Sequence, residues 1–321
     1  MHTRLHIRSH AASFSVLALL LAVLAALAGC GGAATAQSTT PEKPLLSKDA
    51  NGTPIVIPAK APQRIISLGA SDSEILAALG VGSRVIAVDY YTDYPADFAA
   101  KTKISDVNGT YNVEAIVALQ PDLVLSFGGE TRTADTKLLA AHITVFDLPQ
   151  LDLAGTLMEM RLIGQLVHAE SAANRVVQSL QQRINVVKAK VSGAPAVSVY
   201  MEVGYVAPTA YVFGGGSFGD DLIRDAGGTN VFGSDTANGG YPSVDDESIV
   251  AANPQVIVLT EDPSFGGDPN LVYQRHGWSV ISAVKAHRVY VLNSDESQRA
   301  GPRLVDALEQ LAKLLHPDLF S

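Results

Sequence analysis

The chain has one cysteine, Cys30, in 321 residues. A secreted protein so composed cannot close an internal disulfide, so its stability must come from packed cores. Basic charge is also scarce. Lys and Arg number 23 against 32 Asp and Glu, a net charge of −9. Phosphate binding needs a basic face, so nucleic acid is not an expected partner. Five histidines follow residue 30, scattered singly without paired ligand spacing, and no metal site is expected. The phosphate-cradling loop of nucleotide hydrolases is missing, so the chain is not expected to hydrolyse ATP, and no resident cofactor is expected. Proline is absent between residues 153 and 191, a stretch that is free to be helical.

Residues 1–29 have the form of an export signal: Arg4 and Arg8, an apolar run over 11–27, then small residues. Removing them takes away those two positive charges and no negative ones, which leaves a net charge of −11. Leu27-Ala28-Gly29-Cys30 resembles a bacterial lipobox, which implies cleavage before Cys30 and lipidation of Cys30. Several acyl chains hold a protein stably at a membrane. The small, polar residues that follow Cys30 are a flexible tether. The remaining length exceeds what one core usually serves, so two domains are expected.

An internal repeat supports that division. Residues 112–125 align without a gap on residues 245–258: Glu114 meets Glu247, Ile116-Val117-Ala118 meets Ile249-Val250-Ala251, and Pro121 meets Pro254. Each copy predicts an Asn112 or Asp245 N-cap, a short helix that stops before the proline, and a buried strand over 123–127 or 256–260. A weaker match sets residues 74–80 on 221–227, helices ended by Gly80 and Gly227. Further apolar runs at 64–68, 84–88, 143–146, 196–201 and 288–292 lack alternation, as in strands of parallel sheets buried on both faces. Their alternation with helical stretches predicts an α/β fold: two Rossmann-like lobes joined by one long α-helix, with a ligand cleft between them. The expected division is a tether and N-terminal hairpin over 30–61, a first lobe over 62–152, linking helices over 153–192 and a second lobe over 193–321. The helix from residue 169 on is long enough to cross from lobe to lobe, and a rigid connector predicts small lobe motions.

Several segments in this order carry a resemblance: Arg64-Ile65-Ile66-Ser67-Leu68 before Ser73-Glu74-Ile75-Leu76-Ala77-Ala78-Leu79-Gly80; Asn112-Val113-Glu114-Ala115-Ile116; Asp225-Ala226-Gly227-Gly228; and Gly301-Pro302-Arg303-Leu304. They resemble the helical-backbone class of periplasmic binding proteins, which carry vitamin B12, iron-siderophore complexes or haem to ABC importers. The resemblance covers residues 62 to 320. It implies a monomeric, non-enzymatic protein, membrane-anchored through lipid, whose partners are an ABC permease and its ATPase subunits. It further implies that Glu114 and Glu247 meet arginines of the permease. A dimeric pore offers two equivalent docking points, which fits a duplicated glutamate.

Ligands of open α/β sheets sit beyond the carboxyl ends of the strands. Aromatics are only 6% of the chain, yet many fall at those ends. The expected ligand-binding residues are Ser71, Tyr90, Tyr91, Tyr94, Phe127, Tyr205, Tyr241 and Phe265. Tyr91-Thr92-Asp93-Tyr94-Pro95, Phe127, Tyr241 and Arg275-His276-Gly277-Trp278 resemble the vitamin B12 branch, implying a corrinoid ligand. Haem or a ferric siderophore is the alternative: Tyr90, Tyr91 or Tyr205 could ligate ferric iron, and Arg132 or Arg299 could grip an anionic siderophore. A different class also has a signal. Gly215-Gly216-Ser217-Phe218-Gly219 matches the nucleophile elbow of a serine hydrolase, with His276, His287 or His316 as base. The same residues also read as a glycine turn in which Ser217 caps a helix.

Overall fold

The computed structural model describes residues 44–129, 131–149 and 151–321. The expected export signal and Cys30 lie outside the described residues. The first sheet contains β1 (Ile65–Ser67), β2 (Val85–Val88), β3 (Thr102–Lys103), β4 (Leu123–Phe127) and β5 (Val145–Leu148), interleaved with α1 (Ala70–Ala78), α2 (Val113–Ala118) and α3 (Arg132–Ala140). Its order is β3-β2-β1-β4-β5, and every pairing is parallel. This is the doubly wound arrangement, with its switch point between β1 and β4. Buried Ile65, Ile66, Leu123, Val124 and Leu125 fill those two strands on both faces.

The second sheet contains β6 (Val197–Val206), β7 (Thr209–Val212), β8 (Gly228–Asn230), β9 (Ser243–Asp245), β10 (Val256–Leu259) and β11 (Val289–Val291). Its main helices are α6 (Phe218–Asp225) and α7 (Asp246–Ala252), and α8 (Leu304–Leu315) follows near the end of the chain. The order is β11-β10-β6-β7-β9, with β8 also on β6. The runs at 196–201, 256–260 and 288–292 pair in parallel as expected, but two strands not foreseen in the sequence, β7 and β9, join the sheet. The β6–β7 and β7–β9 pairings are antiparallel, while β6, β8, β10 and β11 pair in parallel. The cause is a hairpin: β6 runs to Val206, four residues past its pairing with β10, and turns back through Ala207-Pro208 into β7. The β5 expectation was also displaced, by two residues, because buried Asp147 belongs to that strand and breaks the apolar run.

The repeat is realised in three dimensions. Asn112 accepts the Ala115 N–H at 2.9 Å and Asp245 the Ser248 N–H at 2.8 Å, so α2 and α7 begin on equivalent caps. Both helices end with the residue before proline in the left-handed region, Gln120 at φ 48° and Asn253 at φ 45°. Gly80 and Gly227, at φ 74° and 82°, terminate the other matched pair.

Two helices join the sheets, α4 (Leu153–Leu166) and α5 (Glu170–Val191). The Leu153 N–H donates to Asp221 Oδ2 on α6, while Val167 just past α4 accepts from Arg84 beside β2, so α4 bridges the two halves. The longer α5 spans about 33 Å at 1.5 Å per residue. It returns to the second half, where Lys188 pairs with Asp225 at 2.7 Å. Its apolar stripe, Val177, Leu180, Ile184, Val187 and Val191, is buried at helical spacing. One apolar cluster thereby includes Ile65 and Leu125 of the first sheet with Val199 and Val256 of the second. Arg183 on the part-exposed side of α5 pairs with Asp306 and Glu309 of α8.

Candidate functional site

The carboxyl ends of both sheets open onto two connecting chambers. The larger, about 740 Å3, takes Tyr90, Tyr91 and Asp93 from beyond β2. Val203, Glu261, Phe265, Asp295 and Arg299 face them from the second half. The smaller, about 440 Å3, has Phe127 from the end of β4, and Phe218, Asn238 and Tyr241 from the second half. Val203 and Gln298 line both, so the two are parts of one cleft. Phe127 stands at the switch point of the first sheet, packed so close to Gly69 that a Cβ there would lie 3.2 Å from the Phe127 Cβ. Val203, just past the last β6 residue paired with β10, and Glu261, beyond the end of β10, line the cleft from the second sheet.

Each wall is held from behind. Tyr90 and Tyr91 meet edge to face at 5.3 Å, and the Tyr91 hydroxyl donates to Val107 O at 2.6 Å. Tyr241 rests on Phe213 and Phe218, with ring centres 5.6 and 6.2 Å away, and burial pushes its phenol well up. The Gln298 amide donates to Val203 O, Thr260 O and Thr260 Oγ1, which locks it where β6 and β10 part. Burial, reinforced by neighbouring Glu202, raises the Glu261 carboxyl above its ordinary value.

Arginines close the back of the cleft. Glu74 of α1 is buried, and it accepts from Arg303 at 2.6 and 2.9 Å and from Arg299 at 3.3 Å. Arg299 also pairs with Asp93 at 2.7 Å and Asp295 at 2.6 Å. Partial burial raises the Asp93 carboxyl, but Arg299 outweighs it and holds Asp93 below its ordinary value. This cluster ties the first half to the segment that follows β11.

The structure brings five of the eight expected ligand-binding residues into the cleft: Tyr90, Tyr91, Phe127, Tyr241 and Phe265. It places the other three elsewhere. Ser71 is buried in the first turn of α1, with its carbonyl facing Gly301. Tyr94 lines a separate hollow with Arg183 and Pro302, and the Arg303 guanidinium lies 4.3 Å over its ring. Tyr205 lies within β6, paired with Ala210; its hydroxyl donates to Asp246, and Arg275 lies 3.7 Å over its ring. Arg275 in turn forms a buried two-point ion pair with Glu202. Arg299 lines the cleft, but with its guanidinium committed to three carboxylates. Arg132 opens α3 and is exposed. Asn293, Asp295 and Gln298 were not foreseen; applying the strand-end rule to β11 would have found the first two.

Ser217 is buried and acts as a cap. Its hydroxyl donates to Gly214 O at 2.7 Å and accepts the Asp220 N–H at 3.2 Å, as the glycine-turn reading required. The serine-hydrolase alternative is therefore not supported. Its candidate base His316 is occupied by Gly227 O at 3.2 Å. Glu114 and Glu247 are both exposed, each the second residue of its helix. Each helix leads through its proline into β4 or β10, so its N-terminus lies toward the carboxyl end of the sheet, where the cleft is.

A two-lobed α/β scaffold with a cleft at the strand ends is the architecture of a periplasmic binding protein. The chain belongs to the periplasmic binding protein family, which matches residues 65–296. It is 34% identical over 315 residues to the uncharacterized ABC transporter substrate-binding lipoprotein YvrC of Bacillus subtilis, covering 94% of this chain and 96% of the relative. It is 26% identical over 260 residues to the vitamin B12-binding protein of Yersinia pestis, covering 81% and 88%. Among solved structures, a possible iron-binding periplasmic solute-binding protein from Staphylococcus epidermidis superimposes with a TM-score of 0.70 at 28% identity, covering 80% of this chain and all of that one. No helix among the described residues is long and apolar enough to cross a membrane.

Proposed function

We propose that the chain is the substrate-binding lipoprotein of an ABC importer, and that its cleft captures a corrinoid or a related iron chelate for delivery to a permease. The observation that carries this reading is the cleft itself: Phe127 at the switch point of one sheet and Tyr241 from the other half line one chamber, beside a larger one rimmed by Tyr90, Tyr91 and Phe265. Flat rings on both walls suit a broad, partly apolar ligand. The similarity to a vitamin B12-binding protein supports the corrinoid, and the similarity to a possible iron-binding protein supports the alternative of a ferric siderophore or haem. The exposed Tyr90 on the larger chamber favours that second reading, since tyrosinate ligates ferric iron.

In this reading residues 1–29 direct export, lipidated Cys30 anchors the monomer outside the cytoplasmic membrane, and lobes 62–152 and 193–321 face each other across linking helices 153–192. Glu114 and Glu247 dock on two equivalent permease subunits. Titration of the purified protein with cyanocobalamin, haemin and ferric hydroxamates, followed by intrinsic fluorescence, tests the ligand. Saturable binding of one of them is expected, and failure of all removes the chelate reading. Glu114→Ala combined with Glu247→Ala should abolish uptake and leave binding intact. Normal uptake by that variant refutes the docking role.

A further inference from the structure

We infer that the cleft selects by charge, admitting a neutral or cationic chelate and disfavouring an anionic one. This rests on the binding reading above and adds the charge class of the ligand. The larger chamber is lined by four carboxylates, Asp93, Glu261, Asp262 and Asp295. The only cation among its described lining residues is Arg299, whose guanidinium is already shared by Glu74, Asp93 and Asp295. The wall therefore carries a net charge of three negatives and offers an incoming carboxylate no free guanidinium. The adjoining chamber adds no compensating charge: its described lining is aromatic, aliphatic and amide.

A second observation points the same way. Glu261 Oε2 is shut off from solvent and has no hydrogen-bond partner. Glycine backs this side chain: a Cβ at Gly266 would sit 2.8 Å from Oε2, and one at Gly204 3.7 Å from Oε1. That atom is closed to the cleft, so its charge acts on a ligand only through space, while the exposed carboxylates of Asp93 and Asp262 meet a ligand's amide N–H or cation directly. An anionic group has nothing to give there and meets repulsion, so the wall discriminates by penalising the wrong ligand as well as by holding the right one.

Matched probes isolate charge from shape. Cyanocobalamin and its monocarboxylate, in which one side-chain amide is hydrolysed, form one pair; ferrioxamine B and its N-succinyl derivative, in which a carboxylate replaces the terminal ammonium, form another. Dissociation constants measured at low salt should be about fivefold or more weaker for the carboxylate member of whichever pair binds. The gap should narrow as salt screens the wall. Glu261→Gln combined with Asp262→Asn should close most of it. Asp262→Asn alone should close part of it; this residue is exposed, and asparagine keeps an acceptor for the Ser264 N–H, so the single variant covers any folding defect of the double. Equal affinities within a pair, tighter binding of the carboxylate, or a gap unmoved by the substitutions overturns the charge assignment alone. Failure of all four probes, or tight binding of dianionic haemin, overturns the charge assignment; the reading it rests on falls only if haemin fails as well.

Discussion

Glu74 connects parts of the chain that the sequence keeps 229 residues apart, and its removal gives the sharpest stability test. Its side chain is 2% exposed, while Arg299 and Arg303 are 15% and 17% exposed. In Glu74→Gln one acceptor oxygen becomes an NH2 group facing a guanidinium donor, so at least one of the two Arg303 hydrogen bonds is lost. Removing one partner of a buried ion pair costs about 3–5 kcal/mol. Arg299 keeps Asp93 and Asp295, and both arginines retain some water, which places the expected cost nearer 2–3 kcal/mol. For a chain of this size each kcal/mol moves the melting temperature by about 2–4 °C. The variant should therefore melt about 5–10 °C lower by circular dichroism, with a matching fall in the urea midpoint. Arg303→Met and the double variant complete a cycle, in which the coupling should be about 1 kcal/mol or more. A Glu74→Gln change under about 0.5 kcal/mol, or no coupling to Arg303, would refute the claim that this cluster holds the halves together.

Phe127→Ala and Tyr241→Ala should each weaken ligand binding by about 1.5–3 kcal/mol, roughly ten- to a hundredfold in the dissociation constant, as read by fluorescence titration. Asn112→Ala, which deletes the α2 cap, should cost about 1 kcal/mol in urea unfolding and leave α7 and its Asp245 cap untouched. Burial, helped by neighbouring Asp135 and Asp49, raises the Asp147 carboxyl from 3.8 to about 6 against the lowering effect of the Gly129 N–H. The native chain thus holds a proton that the unfolded chain releases; the stabilisation is complete below about pH 4 and is lost as pH rises to about 6. Urea midpoints across that window should fall with pH, and Asp147→Asn should flatten the slope; an unchanged slope in the variant would exclude Asp147 as its source.

Much of the scaffold was legible because its signals are local. A cap at Asn112 or Asp245, a proline nine residues later and an apolar run after it need no knowledge of the partner segments, and both copies fold as read. Strand direction is not local. The apolar run at 196–201 is the same whether its neighbours are parallel or antiparallel, so the β6–β7 hairpin was invisible. That error explains Tyr205: counted as lying past a strand end, it sits inside a strand that runs on to Val206, and packs on Trp278 instead of facing the cleft. Tyr94 was lost for another reason. Its ring is held by Arg303, a partner more than two hundred residues away. The buried acids Asp72, Asp147 and Glu159 were equally hidden, since carboxylates are expected at the surface unless paired.

The way the halves are joined bears on how the cleft can discriminate. Wide closure around a ligand needs a hinge, a few backbone positions free to absorb large rotations. Here α4 and α5 both cross between the halves, the apolar cluster runs through them without a break, and Glu74 fastens α1 to Arg299 and Arg303 behind the cleft. Rotating one half against the other would strip that buried carboxylate of its partners, at a cost comparable to breaking a buried ion pair, about 3–5 kcal/mol. A ligand would have to supply that energy before gaining any affinity, so large motion is disfavoured and the walls stay near their present separation. With little closure available, selectivity falls to what the walls already present: rings at Phe127 and Tyr241, and a carboxylate surface whose one arginine among the described lining residues is already engaged. A preformed wall of that kind admits a ligand by shape and rejects it by charge at first encounter, so the penalty on an anion should appear in the association rate as well as in the affinity.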